Sequence, residues 1–236
     1  MSILKSDSNV IRNRVIEVFR NECLQVDKLS RVAIVGGSLG DHEVAVIKEK
    51  FPLTSFEIYG IEEGQIFLDL NSPPDLVGDF DLVLCTNVIE HIYHHENFAK
   101  NLLSLINLKG ILWCCFPYSD MYHGSPDYYS AGFDPDYVMK LFARNGAKSA
   151  HNGIIGSRRS YLFTHLLKDW PSEFRYNHPF LGHIIWALGL RSNPRPSARN
   201  LSLRRLIICF YLSFTSKEFT SNPNDGCSAW VKLGKD

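Results

Sequence analysis

From residue 9 to 24, Ile11, Val15, Val18, Phe19 and Cys23 recur at helical spacing behind Ser and Asp residues able to cap, and predict an amphipathic lead-in helix. The apolar run Arg31 to Val35 then predicts a short strand that breaks into Gly36-Gly37-Ser38-Leu39-Gly40-Asp41, with a helix following to about Phe51, where Pro52 ends it. Phe56 to Ile61 reads as a second strand and Ile66 to Leu70 as a short third. Asp81 to Cys85 has the continuous apolar character of a buried strand, and His94 to Leu108 is helical in pattern. Lys109-Gly110 reads as a turn before another buried strand, Ile111 to Phe116. Asp134-Pro135 opens a helix with a capping residue and a proline at its first position, and Gly146 closes it. Ser228 to Leu233 predicts a final strand. Strands alternating with helices at this spacing predict βαβ units and a mostly parallel sheet.

Composition narrows the class. The 236 residues suffice for one substantial core, and 45% hydrophobic with 21% charged residues excludes disordered, collagen-like and coiled-coil chains. Six scattered cysteines, four of them inside apolar runs, read as buried reduced thiols rather than a disulfide framework. The opening MSILKSDSNVIRNR has no apolar core of a signal peptide, and no apolar run approaches the roughly 20 residues of a membrane span. The expectation is a soluble, cytoplasmic domain.

The 25 basic and 25 acidic residues cancel, which argues against general nucleic-acid binding. They are not evenly spread. Residues 157–225 hold ten basic and four acidic residues, an excess of six positive charges matched by an equal negative excess elsewhere. The same segment carries two apolar stretches, Leu181 to Leu190 and Leu206 to Phe214, separated by SNPRPSARN. It reads as a helical insertion over the carboxyl edge of the sheet, where open α/β folds bind ligands. Its helices are expected to form a lid, with a dimer contact or a peripheral membrane contact through 181–214 as alternatives.

The candidate chemistry begins at VAIVGGSLGDHE. Glycines let the backbone approach a bound cofactor, and the helix that follows presents free amide donors. With YGIEEG, FDLVLCTNVIEHI, LINLKGILWCCFP and SPDYYSAGFDPDYVMKLFARNGAK at their distances, the chain resembles class I S-adenosylmethionine-dependent methyltransferases over residues 30–156 and the last strand. That resemblance implies a Rossmann-like, doubly wound α/β fold. It would have a mostly parallel seven-stranded sheet, an antiparallel last strand and a helical insertion before it. The implied divisions are a lead-in at 1–29, a cofactor-binding core at 30–156, the insertion at 157–225 and the final strand at 226–236, all in one domain.

It also implies S-adenosyl-L-methionine as cofactor, with Gly36, Gly37, Ser38 and Gly40 forming the loop under its methionine part. Glu62 would accept the ribose hydroxyls, Asp69 would lie near the adenine amino group, and Thr86 and Asn87 would line the methionine side and the acceptor pocket; by residue type alone, Glu62 and Glu63 also read as a solvated turn pair and Asp69 as the cap of a turn at Asn71-Ser72-Pro73-Pro74. The chain departs from the family pattern in three places. Ile34 stands where the family has an acid, Ser38 replaces the middle glycine, and only seven positions separate Glu62 from Asp69. That spacing is too short for a helix of about ten residues, so either an extended turn replaces the crossover or the third strand lies elsewhere.

Glu90 and His91 have three readings. They open a helix, with Glu90 favoured by its dipole; His91 is a general base; or Asn87, Glu90 and His91 share one helical face as a metal site. The expectation is no bound metal. His123, in MYHGSPDYY, is the other candidate base, on a loop flanked by Tyr122, Tyr128 and Tyr129 that resembles methyltransferases of bacterial surface sugars. His94 and His95 are expected at an exposed helix start, and Asp81 as a structural residue. The expected function is O-methylation of a small or glycan-linked, anionic acceptor. The alternatives are a metal-assisted O-methyltransferase of a catechol or ribose hydroxyl and a non-catalytic binding protein of the same fold.

Overall fold

The seven strands are β1 (Arg31–Val35), β2 (Ser55–Gly60), β3 (Ile66–Phe67), β4 (Phe80–Thr86), β5 (Ile106–Pro117), β6 (Ser149–Gly156) and β7 (Gly226–Gly234). They form one sheet in the order β3-β2-β1-β4-β5-β7-β6, with β7 antiparallel. The computed structural model describes residues 10–119, 128–167, 173–187, 203–219 and 226–234. Two units divide the chain: residues 16–153 with 229–236, and residues 1–15 with 154–228.

In the first unit the central strands are apolar on both faces, as buried parallel strands must be. Val32 to Val35, Leu82 to Cys85 and Leu112 to Phe116 are all buried. β1 pairs in parallel with β2 through Ile34↔Ile58 and with β4 through Ile34↔Leu84. At the far end of the strands Asp81 is structural: Oδ2 accepts the N–H groups of Ser30 and Arg31 (2.8 and 3.0 Å), and Oδ1 accepts from Asn107 Nδ2 (3.0 Å). α1 (Val10–Cys23) lays Phe19 against Trp113 at 5.3 Å, and Trp113 stacks on Trp230 of β7 at 5.3 Å. All six cysteines are free and buried. Burial raises the thiol pKa of Cys23 and, after the hydrogen bond to Cys85, that of Cys114.

α2 (His42–Lys50), α3 (His95–Leu105) and α4 (Pro135–Arg144) are the unit's other helices among the described residues. Asp134 caps α4, its carboxylate accepting the N–H of Asp136 at 2.8 Å, and Gly146 stands beyond the end at φ +107°. The structure departs from the sequence reading at the α3–β5 boundary and adds β6, and it decides between the two alternatives left open before β3. α3 starts at His95 and gives way to strand at Ile106, so Lys109-Gly110 lies inside β5 and is no turn. The pairing jumps from Phe80↔Ile106 to Leu82↔Ile111, and this irregularity absorbs the polar residues between. β3 follows β2 through the turn at 61–65 with no helix, which selects the extended-turn alternative. β6 has no counterpart among the strands read from the pattern.

The second unit is helical apart from the strand ends it includes. α5 (Arg158–Leu167), α6 (Glu173–Asn177), α7 (Pro179–Ala187) and α8 (Leu203–Leu212) succeed one another. Phe163 and Leu167 of α5 pack on Cys209 and Leu212 of α8 as a small core. Ser157, Ser160 and Tyr176 form a buried hydroxyl cluster, with Ser157 Oγ and Tyr176 Oη 2.7 Å apart.

Candidate functional site

The sheet order reverses direction at β1 and β4, the topological switch point at which open α/β sheets bind ligands. A cavity of about 660 Å³ lies there, within the size range of small-molecule sites. Its lining comes from the carboxyl ends of β1 and β2, from the chain that follows β1, β2, β3 and β4, and from Tyr129.

After β1, Gly36 has φ +69°, and a side-chain carbon there would sit 2.6 Å from Val88 Cγ2. Its N–H donates to the Tyr59 carbonyl at 2.9 Å, so this position needs glycine for both its conformation and its neighbour. Beyond it, Asp41 holds the turn closed. Oδ2 accepts the Ser38 N–H at 3.0 Å, and Oδ1 accepts the Ser38 hydroxyl at 3.1 Å. Ser38 Oγ in turn accepts the Gly40 N–H at 3.2 Å. The serine in place of the middle glycine therefore ties the turn to the N-cap of α2.

After β2, Glu62 lies exposed on the lining, with Gln65 Nε2 donating to its Oε2 at 3.4 Å. Asp69 is half-buried and also lines the cavity, but both its oxygens are engaged in a turn. Oδ1 accepts the Asn71 N–H at 2.9 Å and Oδ2 the Ser72 hydroxyl at 2.7 Å. These bonds, the Ser72 hydroxyl first, hold the Asp69 carboxyl below the ordinary carboxylate range. After β4, Asn87 stands at φ +55°, a conformation asparagine tolerates better than most residues, anchored by its N–H to the Cys115 carbonyl at 2.8 Å.

His91 lines the same cavity within a single helical turn, Ile89–His91, and its ring stands 5.9 Å from that of Tyr128. This turn precedes α3, so Glu90 and His91 do not open that helix. With Asn87 in the left-handed conformation, Asn87, Glu90 and His91 do not share one helical face. Glu90 is fully buried and lies off the lining.

The structure thus brings Gly36, Gly37, Ser38, Glu62, Asp69, Asn87 and His91 around one cavity. Gly40 stays in the turn, and Thr86 ends β4 off the lining; His123 lies outside the described residues. His94 is exposed as expected, whereas His95 is half-buried. Its Nε2 is 3.0 Å from the Ile92 carbonyl and its Nδ1 3.0 Å from Tyr137 Oη, and burial lowers its pKa.

Asp41 and Asn71 are among the lining residues the sequence reading did not assign to the site. Asp41 was visible only as the residue before a helix, the N-cap position. Asn71 reads from its neighbours only as part of a turn, with nothing to show its distant partners. Its Oδ1 accepts the N–H groups of Tyr93 and His94 (3.0 and 3.1 Å), fastening the turn after β3 to the start of α3. Tyr93 then meets Tyr129 edge to face at 5.6 Å on the rim.

No protein-family model matches the chain, and no curated protein matches it in sequence. Solved structures match it in fold. Phosphoethanolamine N-methyltransferase 2 of Haemonchus contortus, in complex with S-adenosyl-L-methionine, aligns with TM-score 0.57 at 9% identity over 94% of this chain and 52% of its own. A SAM-dependent methyltransferase from Archaeoglobus fulgidus aligns with TM-score 0.50 at 12% identity, over 94% and 93%. The 4+2 cyclase SpnF aligns with TM-score 0.50 at 11% identity, over 94% and 80%. The chain therefore has the fold of class I S-adenosylmethionine-dependent methyltransferases. At these identities the likeness is one of fold, and a cyclase among the matches shows that the fold alone does not name a reaction.

Proposed function

We propose that this chain transfers a methyl group from S-adenosyl-L-methionine to a hydroxyl of a small or glycan-linked, anionic acceptor. The observation that carries the proposal is the cavity at the switch point, where Gly36, Ser38, Glu62, Asp69 and Asn87 line one space in a methyltransferase-type fold. The residues present fit the cofactor. Gly36 presents bare backbone on the lining, and the exposed Glu62 carboxylate offers two acceptor oxygens for a ribose diol. Asp69 is held anionic by its own turn and can accept from an amino group. The bound cofactor supplies an electrophilic methyl on a sulfonium.

The remaining work falls to the chain: aligning the acceptor oxygen and taking its proton. Gly36, Ser38, Glu62, Asp69 and Asn87 would hold that cofactor, which would give up its methyl from sulfur to the acceptor oxygen, and the hydroxyl proton would go to the base. We assign that role to His91, which borders the cavity, with His123 as the other candidate. The six-charge positive excess of residues 157–225, the segment we read as the lid, favours an anionic acceptor.

Calorimetry with S-adenosylhomocysteine tests the reading first, and no binding at millimolar ligand overturns it. With the acceptor in hand, His91→Ala is expected to lower kcat by about a hundredfold, a typical general-base contribution. Unchanged turnover in both His91→Ala and His123→Ala removes both histidines from the reaction. One observation favours a second reading, a binding protein that no longer catalyses. Ile34, buried in β1, stands where the resembled family carries an acid. Cofactor binding without turnover on any anionic hydroxyl acceptor would favour that reading.

A further inference from the structure

α8 is apolar on two opposite faces. One face turns Cys209 and Leu212 inward onto Phe163 and Leu167. At 100° per residue, Ile207 and Phe210 fall on the opposite side, with Phe214 in the turn beyond; they are 59%, 56% and 75% exposed. Phe210 meets Phe214 edge to face at 5.1 Å and Phe180 of α7 at 5.9 Å, and Leu181 beside Phe180 is exposed as well. The exposed aromatics therefore join into one patch across two helices. A surface helix ordinarily turns polar residues outward, and a joined apolar patch of this kind marks a place of interaction.

The charge around the patch identifies the partner. Arg204 is exposed at the edge of the apolar face, and neither α7 nor α8 contains an acidic residue. Pairing two copies through this face would set two surfaces that carry arginine and no acid against each other, which like-charge repulsion opposes. An anionic bilayer meets both demands: its surface attracts arginine, and its headgroup boundary takes in phenylalanine, isoleucine and tyrosine side chains. Among the described residues no helix is long and apolar enough to cross a membrane, so α8 would lie in the interface. We infer that the outward face of α7 and α8 docks this chain on an anionic membrane surface. The inference stands apart from the methyl-transfer reading and holds for a catalyst or a binding protein alike.

Vesicle flotation of the full chain tests it, comparing phosphatidylcholine alone with phosphatidylcholine carrying roughly 30 mol% phosphatidylglycerol, a strongly anionic surface. The chain should float with the anionic vesicles at least about fivefold better than with the neutral ones, the effect of about one arginine near the surface. Replacing Ile207, Phe210 and Phe214 together by Ser should cut anionic binding by about tenfold or more, with an unchanged circular-dichroism melt. Arg204→Glu, which leaves the apolar patch intact, should cut it by about fivefold and decides the matter should the triple variant not fold. Absence of anionic binding, equal binding to both vesicle types, or full binding by Arg204→Glu would overturn the inference. A dimer in sedimentation velocity that the triple variant abolishes would make a second copy the occupant and overturn it equally.

Discussion

The two units bury ionisable side chains of opposite kind, acids in one and bases in the other. Among the described residues, the sheet unit encloses Glu43 and Glu90, whereas the helical unit encloses Arg159, Arg175 and His183. Both follow the polarity of helix ends. Glu43 lies in the first turn of α2, where free amides favour an anion. Arg159 does the converse. Its Nη1 donates to the Tyr176 carbonyl in α6 at 2.9 Å, and its Nη2 to the carbonyls of Ser213 and Thr215, beyond α8, at 3.1 and 2.8 Å. One planar guanidinium thus closes the carboxyl ends of two helices, as its fork of donors allows. The units differ in backbone too: every described residue with positive φ, Gly36 and Asn87 included, belongs to the sheet unit. Gly36 and Asn87 place such backbone on the cavity, Gly64, Gly132 and Gly146 place it off the lining, and the buried bases lie where short helices must be held to one another.

Substitutions can break this contrast, and the largest effect is expected at Arg159. Arg159→Ala leaves three carbonyls without their donor and should cost about 3 kcal/mol in urea unfolding, with Arg159→Lys recovering only part. A loss below about 1 kcal/mol would mean that water replaces the guanidinium and that the unit does not depend on it. Next comes Gly36→Ala. The strained φ and the 2.6 Å approach to Val88 should cost about 2 kcal/mol and weaken S-adenosylhomocysteine binding by more than about tenfold, read by melting and calorimetry. Wild-type affinity in that variant would separate the loop's shape from its proposed role.

A smaller loss, about 1 kcal/mol, is expected for Glu43→Gln if the α2 amides favour its charge; an unchanged urea midpoint would confine the helix-end rule to the helical unit. The smallest effect is at Asp69. Its folded pKa is depressed, so its contribution is complete above the unfolded carboxylate pKa and is lost as pH falls through the folded one. Only half-buried, it should contribute well under about 1 kcal/mol. Asp69→Asn should leave stability at neutral pH nearly unchanged and flatten its fall in acid, below about pH 4. An acid limb as steep as the wild type's would assign that loss to other carboxylates.

The strands that could be read in advance are those whose burial leaves a continuous apolar run. Arg31 to Val35 matches the observed β1, and the Asp81–Cys85 run lies within β4. β6, SAHNGIIG, escaped because an edge strand carries polar residues and glycines and has no such run. The start of β5 escaped because Asn107, Lys109 and Gly110 look like a turn and are accommodated by irregular pairing. The same division holds at the cavity. Gly36 and Asn87 announce themselves by residue type, since few residues tolerate their backbone angles. Asn71 acts through bonds to amides 22 and 23 residues away, and no local pattern encodes such a partner.

The position of β7 between β5 and β6 carries a consequence for the order of assembly. A growing chain makes β6 some seventy positions before the strand that joins it to the sheet. Until residues 226–234 arrive, Trp113 lacks its stacking partner Trp230, and β6 has no neighbour to pair with. The five strands from β3 to β5 can form early from near neighbours in sequence, while closure waits on a contact of long range and correspondingly slow formation. Tryptophan emission, which senses the Trp113–Trp230 stack, should therefore reach its native value last in refolding, after the far-ultraviolet signal of the central strands and their helices.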